Sequence, residues 1–292
     1  MTPQTVAMPK AVGSERRLPL AVAVLVLAAI VDAWLIASWQ AGVNSYPYAI
    51  PRLVVRVAEY ASDFLIAAAL VGGSRRWSGG RRWFVAGAAL FALHGILALA
   101  KVEWLGWLTQ GNLVVTDQLQ TQLSALALAV ALLGLVAPLA VVVGLWEARA
   151  GPIRIGGLRA WLIGVIALEG ALAIAGSVAF MVAYIGSVPE TAVVPLVNGM
   201  LSAGSPIPLT LLALTALATM PRGGGVGNLL IAGGIGAALV ATGWGQWFQS
   251  QGQLQDLPAR FFDLVYTVPA GVAVIGMLVM AGGVVVGRRR IA

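Results

Sequence analysis

The chain has 292 residues, of which 60% are hydrophobic and only 10% charged, and its mean hydropathy of +0.91 excludes an ordinary soluble domain, where roughly 25% of residues are charged. Its net charge of +7 resides in short clusters between apolar runs, which reads as membrane topology and not as a nucleic-acid-binding surface. Cys is absent, which excludes disulfides, thiolate metal sites and cysteine redox chemistry.

Apolar runs long enough for a helix to cross a bilayer, about 20 residues each, recur along the chain, and the short alternating segments of a barrel are missing. The predicted fold is an all-α, polytopic helical bundle in a lipid bilayer. Residues 1–16, MTPQTVAMPKAVGSER, are too polar for an ordinary signal peptide and read as a cytoplasmic tail. A single transmembrane domain follows over 17–287, with a basic cytoplasmic end at 288–292.

Eight spans are predicted: 18–40, 50–72, 83–108, 119–147, 159–187, 192–220, 228–248 and 264–287. Lys10, Arg16 and Arg17 precede the first, and Arg75, Arg76, Arg81 and Arg82 separate the second from the third. Arg149, Arg154 and Arg159 separate the fourth from the fifth, Arg222 the sixth from the seventh, and Arg288, Arg289 and Arg290 follow the eighth. Only Arg52, Arg56, Lys101 and Arg260 fall on the other side. The positive-inside rule makes the richer side cytoplasmic and, with an even number of spans, places both termini there, in the cell membrane. The Arg, Ala, Gly and Val bias suggests a GC-rich prokaryotic genome. The outer connections, such as AGVNSYPY and SVPET, are short, so function resides within or at the edge of the bilayer.

Within the sixth span, NGMLSAGSPIPLT sets Gly204, Pro206 and Pro208 inside a membrane-length run. Proline removes a backbone donor and crowds the preceding turn, so a break or kink is expected near 204–208. Such a break suits a packing helix and also a transporter site. Small residues crowd the seventh and eighth spans, consistent with close helix approach.

An ionisable group inside a membrane costs roughly 2.5–3.5 kcal/mol on insertion scales and is a functional hypothesis by default. Asp32, Asp63, His94 and Glu169 stand deepest, with Glu59 and Lys101 nearer the outer edge. Arg52, Arg56, Glu59 and Asp63 follow a spacing that puts all four on one helical face. His94 and Lys101, seven apart, also share a face. Counted from the outer ends of antiparallel spans, Asp63 and His94 are each about thirteen residues deep, roughly 20 Å. Pairing of Glu59 with Lys101 and of Arg56 with Glu103 would neutralise both cations.

These residues predict a polar seam, Asp63, His94, Glu59, Lys101, Arg56 and Glu103, open to the outside, which Asp32 is placed to join. The same charges would suit a structural network that fixes helix register. As a functional site, a carboxylate beside an imidazole passes protons, binds a quinol headgroup or orients a liganded histidine. One histidine cannot supply bis-histidine haem ligation, no G-x-S-x-G motif supports a hydrolase, and no P-loop or Rossmann pattern has the required context. No metal site is read from the sequence.

Two segments, FALHGILALA and GQWFQSQGQLQDLPARFFDLVYTVPAGVAVIGML, resemble haem-copper oxidase core subunits. The first is similar to the helix whose Leu-His-Gly supplies a low-spin haem ligand, the second to the Pro-Arg-Arg-aromatic-Asp loop that holds haem propionates. The resemblance implies His94 as a haem ligand and Arg260 as a propionate contact. Ala259 stands where the family has a second arginine, and the other haem and copper histidines are missing. A chain of this kind resembles an oxidase core without its active site, an accessory or anchoring subunit.

The leading expectation is therefore a membrane subunit of a respiratory, electron-transfer complex. It would bind other membrane subunits and offer an outward quinol or proton site, with quinone, and haem only through the resemblance, as cofactor candidates. The alternative is a secondary transporter of a small solute or ion, with a broken sixth helix.

Overall fold

The computed structural model describes residues 49–75, 77, 79–110, 117–149, 152–153, 155–185, 197, 199–201, 203–220, 225–250 and 259–287. Asp32 and the expected first span at 18–40 lie outside the described residues, as do the side chains of Arg52, Arg56, Glu103 and Arg260. Seven helices are described: α1 (Ala49–Ser74), α2 (Arg81–Gln110), α3 (Asp117–Glu147), α4 (Leu158–Ile185), α5 (Pro206–Ala218), α6 (Val226–Ser250) and α7 (Ala259–Val286).

Long apolar runs without ionisable interruption build most of these helices, because in lipid every backbone N–H and C=O must be satisfied within the segment. Pro138 and Pro269 sit inside α3 and α7, which membrane helices tolerate where neighbours pack against the freed backbone. Six segments among the described residues are long and apolar enough to cross a membrane, so the chain is a multi-pass membrane protein. Eight were expected. The first expected span lies outside the described residues, and of the second, α1, the apolar stretch Ala61–Ser74 is described through its side chains.

The break in the sixth span lies at Gly204 and Ser205, a turn between the helical residues 199–201 and Pro206, which opens α5. The amide of Gly204 still donates to Met200 O at 3.0 Å, and that of Ile207 to Gly204 O at 3.0 Å. Ser205 itself keeps helical φ and ψ of −56° and −31°, so the chain crosses this turn with these backbone groups paired. A second departure concerns the segment likened to a propionate-binding loop: Ala259, Arg260 and Asp263 form the first turn of α7. Proline at 258 suits this, since its fixed φ and missing donor are tolerated at a helix start.

Packing closes the bundle into a ring in the order α1, α2, α3, α5, α6, α7 and back to α1, with α4 seated outside against α5 and α6. Glycine contacts give the directions. Gly87 faces Leu70 and Gly95 faces Asp63, so α1 and α2 are antiparallel; Gly134 meets His94 and Gly144 meets Phe84, so α2 and α3 are too. The helices alternate throughout, and Arg75, Arg82, Arg149 and Arg159 gather at one end.

The largest fully buried side chains, including Leu70, Phe84, Leu145, Leu217, Ile231, Met280 and Val284, lie in the half of the ring toward that arginine-rich end. Its connection between α1 and α2 is folded into the bundle: Gly79 and Gly80 adopt φ of 86° and 66°, the left-handed region that favours glycine. A Cβ on Gly79 would stand 2.8 Å from Glu147 O. Glu147 in turn accepts from Arg82 Nη2 and Trp83 Nε1, each at 2.8 Å. Outward, α4 exposes Leu158, Trp161, Leu168, Leu172 and Val182, a face suited to acyl chains.

Candidate functional site

The centre of the candidate site is a carboxylate–imidazole couple. Asp63 lies on α1 and His94 on α2, and His94 Nδ1 stands 2.8 Å from Asp63 Oδ2. With Asp63 ionised, Nδ1–H donates to the carboxylate, which leaves Nε2 as the second position for a proton. The couple is about 11 residues, or roughly 17 Å, from the arginine-rich end of α1. It therefore sits near the middle of the bundle, on the rim of the dense core.

Three neighbours shape it. Gly95 lets the helices approach: a Cβ there would lie 3.0 Å from Asp63 Cβ and 3.1 Å from the Phe64 ring. On the other side of the imidazole, the Cβ that Gly134 of α3 lacks would be 3.5 Å from Nε2 and 3.8 Å from Cδ2. His94 is thus held between Asp63 and the backbone of α3. Its side chain keeps 25% exposure and that of Asp63 12%, enough for contact with a small polar partner but not for free hydration.

The rest of the expected seam is less closely joined. Glu59 is exposed one turn before Asp63, and Ser62 Oγ donates to its backbone carbonyl at 2.6 Å. Lys101 is half-buried on α2. Glu59 is itself engaged in an interaction. Arg56 and Glu103 carry the second expected pairing and, with Asp32 and Arg260, lie outside the described side chains. Among the described residues no three His, Asp or Glu side chains gather as a metal site.

Sequence reasoning missed Gly95 and Gly134, which appear in the sequence only as two of 36 glycines. Their role depends on which helices meet. Leu135, next to Gly134, reaches Gly204, where a Cβ would lie 3.8 Å from its Cδ2. One turn of α3 therefore touches both the couple and the Gly204–Ser205 turn before α5.

Comparison of the chain with known families, with characterised proteins and with solved structures gave no match.

Proposed function

We propose that this chain is a membrane subunit of an electron-transfer complex whose Asp63–His94 couple binds a quinol headgroup and takes up its proton. The observation that carries the reading is the 2.8 Å contact between Nδ1 and Oδ2 at mid-bundle. A quinol hydroxyl donates to Nε2; as the quinol's two electrons pass to a redox partner subunit, the proton of that hydroxyl moves to Nε2, Asp63 stabilises the imidazolium, and the proton of the second hydroxyl leaves to water at the outer side. Such a positioned base contributes about 10²–10⁴-fold to rate. The resemblance of FALHGILALA to oxidase helices supports the setting in electron transfer. Hydrogen bonding suits His94 better than iron ligation, because α3 lies against the Nε2 side of the ring at Gly134. With both termini and the arginine-rich end on the cytoplasmic side, the site opens outward.

The test is quinol-dependent turnover of the complex purified from its native membrane. Asp63→Asn and His94→Gln are each expected to lower turnover about a hundredfold with subunit composition unchanged. Full turnover in the assembled double variant would rule the reading out. Gly134→Leu, which fills the space beside Nε2, is expected to raise the KM for quinol more than it lowers kcat. Equal kinetics in that variant would show that the headgroup does not approach along α3.

The turn at Gly204, joined to the couple through Leu135 and Gly134, favours transport as a second reading, in which Asp63–His94 exchanges protons as α5 pivots. Ion-coupled uptake by the purified chain alone in liposomes would select it, whereas copurification with a haem or iron–sulfur protein selects the first.

A further inference from the structure

On the far side of the ring from the couple, α4 brings a second carboxyl into the bundle. Glu169 is about 11 residues, or roughly 17 Å, from the start of α4, near the middle of its membrane-length run Leu158–Val182. It faces α6 at Gly236: a Cβ there would lie 2.9 Å from Glu169 Oε2 and 2.8 Å from Ile166 Cδ1. The missing side chain is what makes room for the carboxyl. Oε2 is buried and has no hydrogen-bond partner.

Charge makes the arrangement informative. Among the described residues, the helices that pack closely against α4 are α5 and α6, and neither PIPLTLLALTALA nor VGNLLIAGGIGAALVATGWGQWFQS contains an ionisable side chain. Within α4 itself the others are Arg159, ten residues away or roughly 15 Å, and Tyr184. An anion at 169 would thus face an isoleucine methyl and helix backbone with no counter-charge among the described residues, which is the costly way to bury a carboxyl. A bound metal ion would need several oxygen ligands, and among the described residues no acidic cluster supplies them.

We infer that Glu169 is a proton-binding site in the α4–α6 seam, occupied as the neutral acid at neutral pH. The inference is independent of the Asp63–His94 couple. Its probe is dicyclohexylcarbodiimide, an apolar reagent whose N=C=N bond adds a carboxylic acid. The carboxyl proton goes to one nitrogen and the carboxylate oxygen to the central carbon, and the O-acylisourea rearranges to a stable N-acylurea with no atom lost.

On the full chain in lipid at neutral pH, peptide mapping is expected to place the adduct on Glu169, with labelling slowing as the medium is made alkaline. Glu169→Gln is expected to abolish that adduct and, in the unlabelled protein, to remove an infrared band of a protonated carboxyl. Absence of both adduct and band at Glu169 would overturn the inference. So would protection from labelling by sodium at constant pH, which would identify a carboxylate that binds a cation.

Discussion

Trp77→Ala is expected to lower stability by about 3–5 kcal/mol, the range for removing a large aromatic side chain from a packed interior, seen as a large fall in the thermal midpoint of the detergent-solubilised chain. Trp77 belongs to a connection, GGSRRWSGG, that its glycines and arginines mark as a surface loop. Yet its indole is 7% exposed. Nε1 donates to Val284 O at 3.1 Å, the ring packs on Phe84 with centroids 5.6 Å apart, and Gly287 leaves room for its edge. One side chain thus joins α1, α2 and the end of α7, where the ring of helices closes. Trp77→Phe keeps much of the apolar contact but loses the hydrogen bond, worth about 1 kcal/mol net, so its midpoint should fall between those of the native chain and Trp77→Ala. An unchanged midpoint for Trp77→Ala would mean that the loop does not hold the ring closed.

The second large effect lies on the adjoining seam. Gly227 and Gly234 of α6 meet Gly283 and Gly276 of α7 reciprocally: a Cβ on Gly227 would stand 2.6 Å from Gly283 O, and one on Gly283 2.6 Å from Gly227 O. The seven-residue spacing on both helices keeps the pairs on facing stripes. Without a hydrophobic force between helices in lipid, such backbone approach is a main source of association. Gly234→Val or Gly276→Val would press side-chain atoms into an opposing backbone that cannot rotate away. Overpacking costs roughly 1–3 kcal/mol or more, and the upper end is expected here, with loss of the monodisperse peak in size-exclusion chromatography. Gly233→Ala and Gly282→Ala, where an added Cβ meets nothing within 4 Å, should leave that peak intact. Equal behaviour of all four variants would contradict the packing of α6 on α7.

Much of the bundle can be read from the chain because a bilayer permits few solutions. The apolar runs and the Arg clusters indicate helices that alternate in direction. The common level of Asp63 and His94 follows from counting residues along two antiparallel runs. The charges of α1 are visible in the same way, since the spacing of Arg52, Arg56, Glu59 and Asp63 sets them on one helical face. Arg260 is less legible: DLPARFF has the composition of a loop, and its place in the first turn of α7 depends on where the helix starts after Pro258.

Sequence alone determines that this is a multi-pass, helical membrane protein with a few intramembrane charges, because hydropathy, length and charge act locally and the bilayer imposes one period on them. Tertiary structure decides which charges meet. Asp63 reaches His94 because Gly95 admits close approach of α1 and α2, and α3 rather than lipid covers the imidazole at Gly134. Glu169 faces Gly236 only because α4 packs outside the ring against α6. These contacts join residues far apart in the chain, and they depend on which small residue of one helix lies opposite which large or charged residue of another.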